Sequence, residues 1–168
     1  AFTAVENQLA TLGTMGQYLG STIDDSGRQH LAYTSGLGNQ IFASIEGESS
    51  WTHELVRASI VLDAEISVIV DSNNNTNLIY RDSSDDSLEL ATKFSSWSLT
   101  DMGDVGSAVS LDHPAVLLPN GSFAIALIES DGTTSNLSQW IWNGTAISST
   151  VLQSETDLAT DIEIELSV

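Results

Sequence analysis

The stretch STIDDSGRQHLAY, ending at Tyr33, returns as SVIVDSNNNTNLIY, ending at Tyr80, so that Asp24 maps onto Asp71, His30 onto Asn77 and Tyr33 onto Tyr80 at an offset of 47 residues. Downstream, NQIFAS followed by GESSWTHELV matches SLELAT followed by KFSSWSLTDM, which aligns Trp51 with Trp97. A third copy runs through AVLLPNGSFAIAL, NLSQWIW and NGTAISSTVL, with Ile147 in the tryptophan position. A chain built from one unit must fold each copy alike and bury the copies against one another.

The unit is made of strands. Apolar residues alternate with period two at Ile66, Val68 and Val70, at Leu88 and Leu90, and at Ile162, Ile164 and Leu166. Turn signals stand between them: DDSG at 24–27, SGLGN at 35–39, DSNNN at 71–75, SSDD at 83–86, PNG at 119–121 and SDG at 130–132. The 25 Ser, 15 Thr and single Lys disfavour helix and suit strands and turns. Each unit of 46 to 50 residues reads as four short strands, A to D. A four-stranded sheet with two apolar faces cannot hide both alone, and radial packing of such sheets is a β-propeller. The expected fold is therefore all-β, with four-stranded antiparallel blades at about 21–56, 66–102 and 115–152. Part-blade strands are expected at both ends, a D-like strand at 1–6 with Phe2 in the aromatic slot and an A-like strand at 161–168.

In detail, Gly16, Ser21, Asp24, Gly27, His30, Tyr33 and Trp51 in one copy, and Asp71, Tyr80, Leu88, Ala91 and Trp97 in the next, form a pattern. It resembles the sialidase-like (BNR-like) β-propeller repeats of secreted bacterial and archaeal surface proteins, with GDVGSAVS at 103–110 resembling the linker between blades. The resemblance covers nearly the whole chain and implies a blade, not an activity. The third copy lacks the acidic end of the A strand and the Tyr, and no S-x-D-x-G-x-x-W box is present.

The 168 residues suffice for one domain with a core. Four Lys plus Arg against 23 Asp plus Glu give a net charge of −19, which repels phosphate backbones and anionic lipid. Nucleic acid is excluded as a partner on this ground. No apolar run approaches the ~20 residues that span a bilayer, so no membrane insertion is expected, and the residues from Ala1 onward do not have the basic and apolar regions expected of a signal peptide. The absence of Cys excludes disulfides and thiolate chemistry.

Candidate chemistry is sparse. His30, His53 and His113 lack zinc-ligand spacing, and neither a G-x-S-x-G elbow nor a phosphate loop occurs. The sialidase-like resemblance implies an arginine triad, a Tyr nucleophile and a Glu partner, yet Arg28, Arg57 and Arg81 occupy three different blade positions. A two-carboxylate glycosidase remains open, since two such groups need only stand about 5 to 10 Å apart. Tyr33, Tyr80, Trp51 and Trp97 read as blade-core packing, and Trp140 and Trp142, on one face of a strand, read as buried. The oxygen-rich turns Asp71 to Asn75 and Asp82 to Asp86 read as solvated, with calcium as the competing reading. No other cofactor is expected. Asn74, Asn120, Asn136 and Asn143 begin N-x-[ST] glycosylation sequons.

The leading reading is a non-catalytic extracellular or cell-surface propeller module for adhesion, ligand binding or surface assembly, in a saline environment. The competitors are a glycoside hydrolase or lyase with an axial site and a propeller lectin with pockets between blades. Expected partners are other copies of the chain or the rest of a longer one, and carbohydrate or a surface protein. Three blades do not close a ring, since propellers close with four to eight. At a net charge of −19, self-repulsion opposes the compact state and is screened over about 8 Å at physiological ionic strength. The melting temperature is therefore expected to rise from low to molar salt, and a scanning calorimetry series showing no rise would contradict this.

Overall fold

A computed structural model describes residues 15–35, 37–62, 66–105, 115–130 and 133–156. The terminal strands expected at 1–6 and 161–168, and His113, lie outside the described residues. The first antiparallel sheet contains β1 (Met15–Ile23), β2 (Gln29–Ser35), β3 (Gln40–Glu46) and β4 (Trp51–Ala58). The second contains β5 (Ser67–Val70), β6 (Thr76–Asp82), β7 (Ser87–Lys93) and β8 (Trp97–Asp104). The third contains β9 (Ala115–Leu117), β10 (Phe123–Ser130), β11 (Ser135–Trp142) and β12 (Ile147–Glu155). In every sheet the strands lie side by side in chain order, and β1 begins ahead of the position that the repeat suggested.

The repeat is visible in backbone detail. The turn after the first strand of each sheet is closed by the same pair of bonds: Asp24, Asp71 and Leu118 donate N–H to the carbonyls of Arg28, Asn75 and Ser122, and their own carbonyls accept from the N–H of Gly27, Asn74 and Gly121. Gly27, Asn74 and Gly121 fill one turn position at φ of 81°, 61° and 82°, a left-handed backbone that Gly and Asn tolerate best. Each outermost strand carries a bulge at one place, leaving Val56, Met102 and Leu152 without a paired residue on β3, β7 and β11.

The core lies between sheets. Ala32, Ile41, Ala43 and Val56 of the first sheet pack with Val68, Leu78, Tyr80 and Ala91 of the second. Ile79, Leu88, Leu90 and Met102 pack in turn with Phe123, Ile125, Leu127, Trp140 and Trp142 of the third. Both tryptophans of β11 are therefore buried on one face, as the alternation implies. All seven residues of β6 are buried, because the second sheet has a neighbour on each side. The innermost strand β5 touches both β1 and β9, so the sheets radiate from a common line. After β4 and after β8 the chain is tied back to the hairpin turn between the second and third strands of the same sheet, Ile60 N–H to the Asn39 carbonyl at 3.2 Å and Val105 N–H to the Asp86 carbonyl at 3.0 Å.

Close packing near this line demands a glycine. A Cβ on Gly20 would overlap the Ile66 carbonyl and stand 2.9 Å from Val68 Cγ2, and backbone cannot yield as a side-chain tip can. Gly20→Ala is expected to cost about 1 to 3 kcal/mol of unfolding free energy, read by urea denaturation. Wild-type stability in that variant would contradict the seam geometry.

Candidate functional site

The chain has four Lys and Arg residues, and each is held by its own carboxylate: Arg28 by Asp24, Arg57 by Glu89, Arg81 by Asp86 and Lys93 by Glu54. Two of these pairs cross from the first sheet to the second. Arg57 Nη2 of β4 donates to Glu89 Oε1 of β7 at 3.1 Å, while the Tyr80 hydroxyl of β6 donates to Glu89 Oε2 at 2.8 Å. Burial and the Glu89 carboxylate push the Tyr80 phenol far above its ordinary value, so it remains a hydrogen-bond donor. Further out, Glu54 Oε2 of β4 accepts from Lys93 Nζ and, at 2.8 Å, from the Trp97 indole N–H, and the Lys93 ammonium lies 5.9 Å from the centre of the Trp97 ring. His30 adds a third crossing contact, its Nδ1 2.9 Å from Thr76 Oγ1 of β6.

The second seam is different. Leu127, Ser138 and Gly103 stand where the first seam has Tyr80, Glu89 and Arg57, and Trp142 and Ile147 replace Lys93 and Trp97. Polar groups able to meet a hydroxylated ligand are thus gathered in the first seam, where Arg57, Glu54 and Trp97 are partly exposed.

Around the radial line, a cavity of about 430 Å³ opens between the ends of β1, β5 and β9, lined by Thr22, Asp24, Asp25, Asp71, Asn74 and Leu117 among others. Its two repeat carboxylates are engaged within their own turns. Asp24 Oδ1 accepts from Ser26 and Arg28 N–H at 2.9 Å each, and Oδ2 accepts from Arg28 Nε at 2.7 Å, with His30 Nε2 at 3.3 Å. Asp71 repeats the scheme with Asn73 and Asn75 N–H at 2.8 and 2.9 Å and Asn75 Nδ2 at 3.0 Å. Burial alone raises both carboxyls, and these hydrogen bonds outweigh it and hold both below the ordinary carboxylate range, Asp24 far below.

The residues singled out by sequence fall as follows. Arg28, Arg57 and Arg81 belong to three separate ion pairs and do not form a carboxylate grip. In the turn at 82–86, Asp82 accepts from Ser84 N–H and Oγ and Asp85 from Ser87 N–H and Oγ, while among the described residues no group of three His, Asp or Glu side chains is arranged to hold a metal. His53 bonds Ser44 Oγ at 2.7 Å within its sheet. Tyr80 is buried and Trp97 packs against the first core cluster, whereas Tyr33 stacks on Phe42 at 5.7 Å between ring centres. Of the sequons, Asn143 and Thr145 are both exposed, whereas the sequon hydroxyls of Thr76 and Ser138 are buried and bonded to His30 and Glu129. Sequence reading missed the Arg57–Glu89 and Glu54–Lys93 pairs. Their only signal was that the chain's few cations fall within the first two repeats.

No protein-family model and no curated protein matches the chain. Solved structures do. A mutant of the Aleuria aurantia lectin in complex with Fucα1-6GlcNAc superposes with a TM-score of 0.61 at 20% identity, over 83% of this chain and 47% of that one. This chain therefore spans about half the length of the Aleuria structure. A fucose lectin from Kordia zhangzhouensis in complex with methyl-fucoside superposes with a TM-score of 0.53 at 14% identity, over 82% of this chain and 99% of that one. The likeness shows the fold, a β-propeller arrangement of blades; the sialidase resemblance in particular is not what these neighbours display.

The turn carboxylates carry a pH dependence of known sign. A carboxyl depressed in the folded state adds stability above its unfolded value of about 3.9, and that stability is lost as pH falls toward the folded value. Unfolding free energy is expected to drop below about pH 4, and less steeply in Asp24→Asn than in the wild type. Parallel acid limbs in urea titrations of the two proteins would count against the assignment.

Proposed function

We propose that the chain is a non-catalytic carbohydrate-binding propeller module whose sugar site is the seam between the first and second sheets. The observation that carries this reading is the gathering of Arg57, Glu89, Glu54, Lys93 and Trp97 in one seam, while the sister seam has Gly103, Ser138, Trp142 and Ile147 at the places of Arg57, Glu89, Lys93 and Trp97. A sugar needs fixed donors and acceptors for its hydroxyls and an apolar face for its ring carbons, and the Arg57–Glu89 and Lys93–Glu54 pairs supply the first two while the Trp97 indole of the same seam supplies the third. The fold likeness to two lectins that bind fucose or a fucoside supports the same ligand class. The reading uses no cofactor and places the module outside the cell or at its surface, in a saline setting that suits its acidic composition. Besides glycans, its partners include another copy of the chain.

Calorimetric titration with methyl fucoside and a panel of neutral sugars tests it. Arg57→Ala and Glu89→Gln are expected to weaken binding at least tenfold, in line with loss of charge-assisted hydrogen bonds, and Thr150→Ala on the exposed strand β12 to leave it unchanged. Absence of binding to any sugar, or binding indifferent to Arg57 and Glu89, would overturn the reading.

A further inference from the structure

The hairpin turn between the third and fourth strands is closed alike in the first and third sheets, Gly47 N–H donating to the Ser50 carbonyl at 2.9 Å and Asn143 N–H to the Ala146 carbonyl at 3.2 Å. In the third sheet the turn reads Asn143-Gly144-Thr145-Ala146, and Gly144 takes a left-handed backbone at φ 94°. Asn143 Oδ1 accepts from Thr145 N–H and from Thr145 Oγ1, each at 3.0 Å, and from Ala146 N–H at 2.9 Å. This is an Asx turn, and it occupies the oxygen of the side-chain amide. The nitrogen is left over: among the described residues nothing accepts from Asn143 Nδ2, and all four turn residues are exposed. Beyond the turn β12 is exposed from Ser148 to Glu155, so the space in front of it is open on that side.

We infer that Asn143 is the acceptor of an asparagine-linked glycan added to the folded chain, and that the fold closes the other three sequons to the same modification. A transferase that acts on N-x-[ST] must reach both the Asn amide and the hydroxyl two residues on. Thr76, which completes the Asn74 sequon, is 2% exposed and its hydroxyl is engaged with His30 Nδ1 at 2.9 Å. Ser122, which completes the Asn120 sequon, is 7% exposed. Asn136 and Ser138 lie within β11, paired with β10 on one side and β12 on the other, and Ser138 is fully buried with its hydroxyl on Glu129. Of the four sequons, Asn143 and Thr145 alone are exposed as a pair. The donor is an oligosaccharide on a polyprenyl diphosphate. The Asn143 Nδ2–C1 bond forms, the C1–O bond to the diphosphate breaks with its electron pair going to the leaving diphosphate, and one amide proton passes to a base of the transferase. Oδ1 is untouched, so the product keeps all three hydrogen bonds of the turn. The site lies on the third sheet, outside the seam proposed above to bind sugar.

The test is to incubate the folded protein with a polyprenyl-diphosphate oligosaccharide and a single-subunit oligosaccharyltransferase that requires only N-x-[ST], and to locate the glycan by mass spectrometry of proteolytic fragments. One glycan is expected, on Asn143, and the heat-unfolded protein is expected to accept glycans at further sequons. Asn143→Gln and Thr145→Ala should each abolish modification of the folded protein while Thr145→Ser retains it, with circular dichroism confirming that all three variants fold. The absence of a glycan on Asn143 of the folded protein overturns the inference. So does modification of Asn74, Asn120 or Asn136 in the folded protein as readily as Asn143.

Discussion

Burial between sheets is the interaction on which the rest of this molecule depends. A four-stranded antiparallel sheet whose middle strands are apolar on both sides has no stable existence in water, and β6, buried at all seven positions, is possible only because a sheet lies on either side of it. The two core clusters are accordingly seams and not the interiors of sheets. From this follow the glycine at the tight approach of β1 to Ile66, the tying back of each linker through Ile60 and Val105, and the exposure gradient from β6 and β10 to the outer strands β4, β8 and β12.

Within that frame the few cations are placed economically. An acidic chain gains little from exposed ion pairs, each worth about 0 to 1 kcal/mol, but a carboxylate drawn into a seam needs a donor. Glu89 has Arg57 and the Tyr80 hydroxyl, and Glu54 has Lys93 and the Trp97 indole. The first seam is consequently polar and specific where the second is closed by Trp140 and Trp142. That asymmetry, laid over a symmetric backbone, is what makes one seam a candidate for ligand binding and leaves the other as packing.

The fold was legible because its cause is periodic. A fixed offset, period-two apolar runs and turn residues at equivalent places all report local geometry, and even the third copy, stripped of its Asp and Tyr, keeps the turn through Gly121. The candidate site was much less legible. Arg57 and Glu89 are 32 residues apart, and Glu54 and Trp97 are 43 apart. Nothing in either neighbourhood marks the partner, so the arginines could be judged from their positions as unsuited to a triad but not assigned to what they do hold.

By itself, then, the sequence determined the strand content, the four-strand unit, the places of the turns at Asp24 and Asp71, and that Trp140 and Trp142 share one face, because each follows from backbone sterics and alternation over a few residues. Only the tertiary structure decided which side chains cross between sheets, which seam is charged, and that Leu19 and Leu152 stand open where their repeat equivalents are covered. The physical reason is that equivalent residues in a repeat share a local conformation but not a neighbour: what each one touches is set by the sheet next to it.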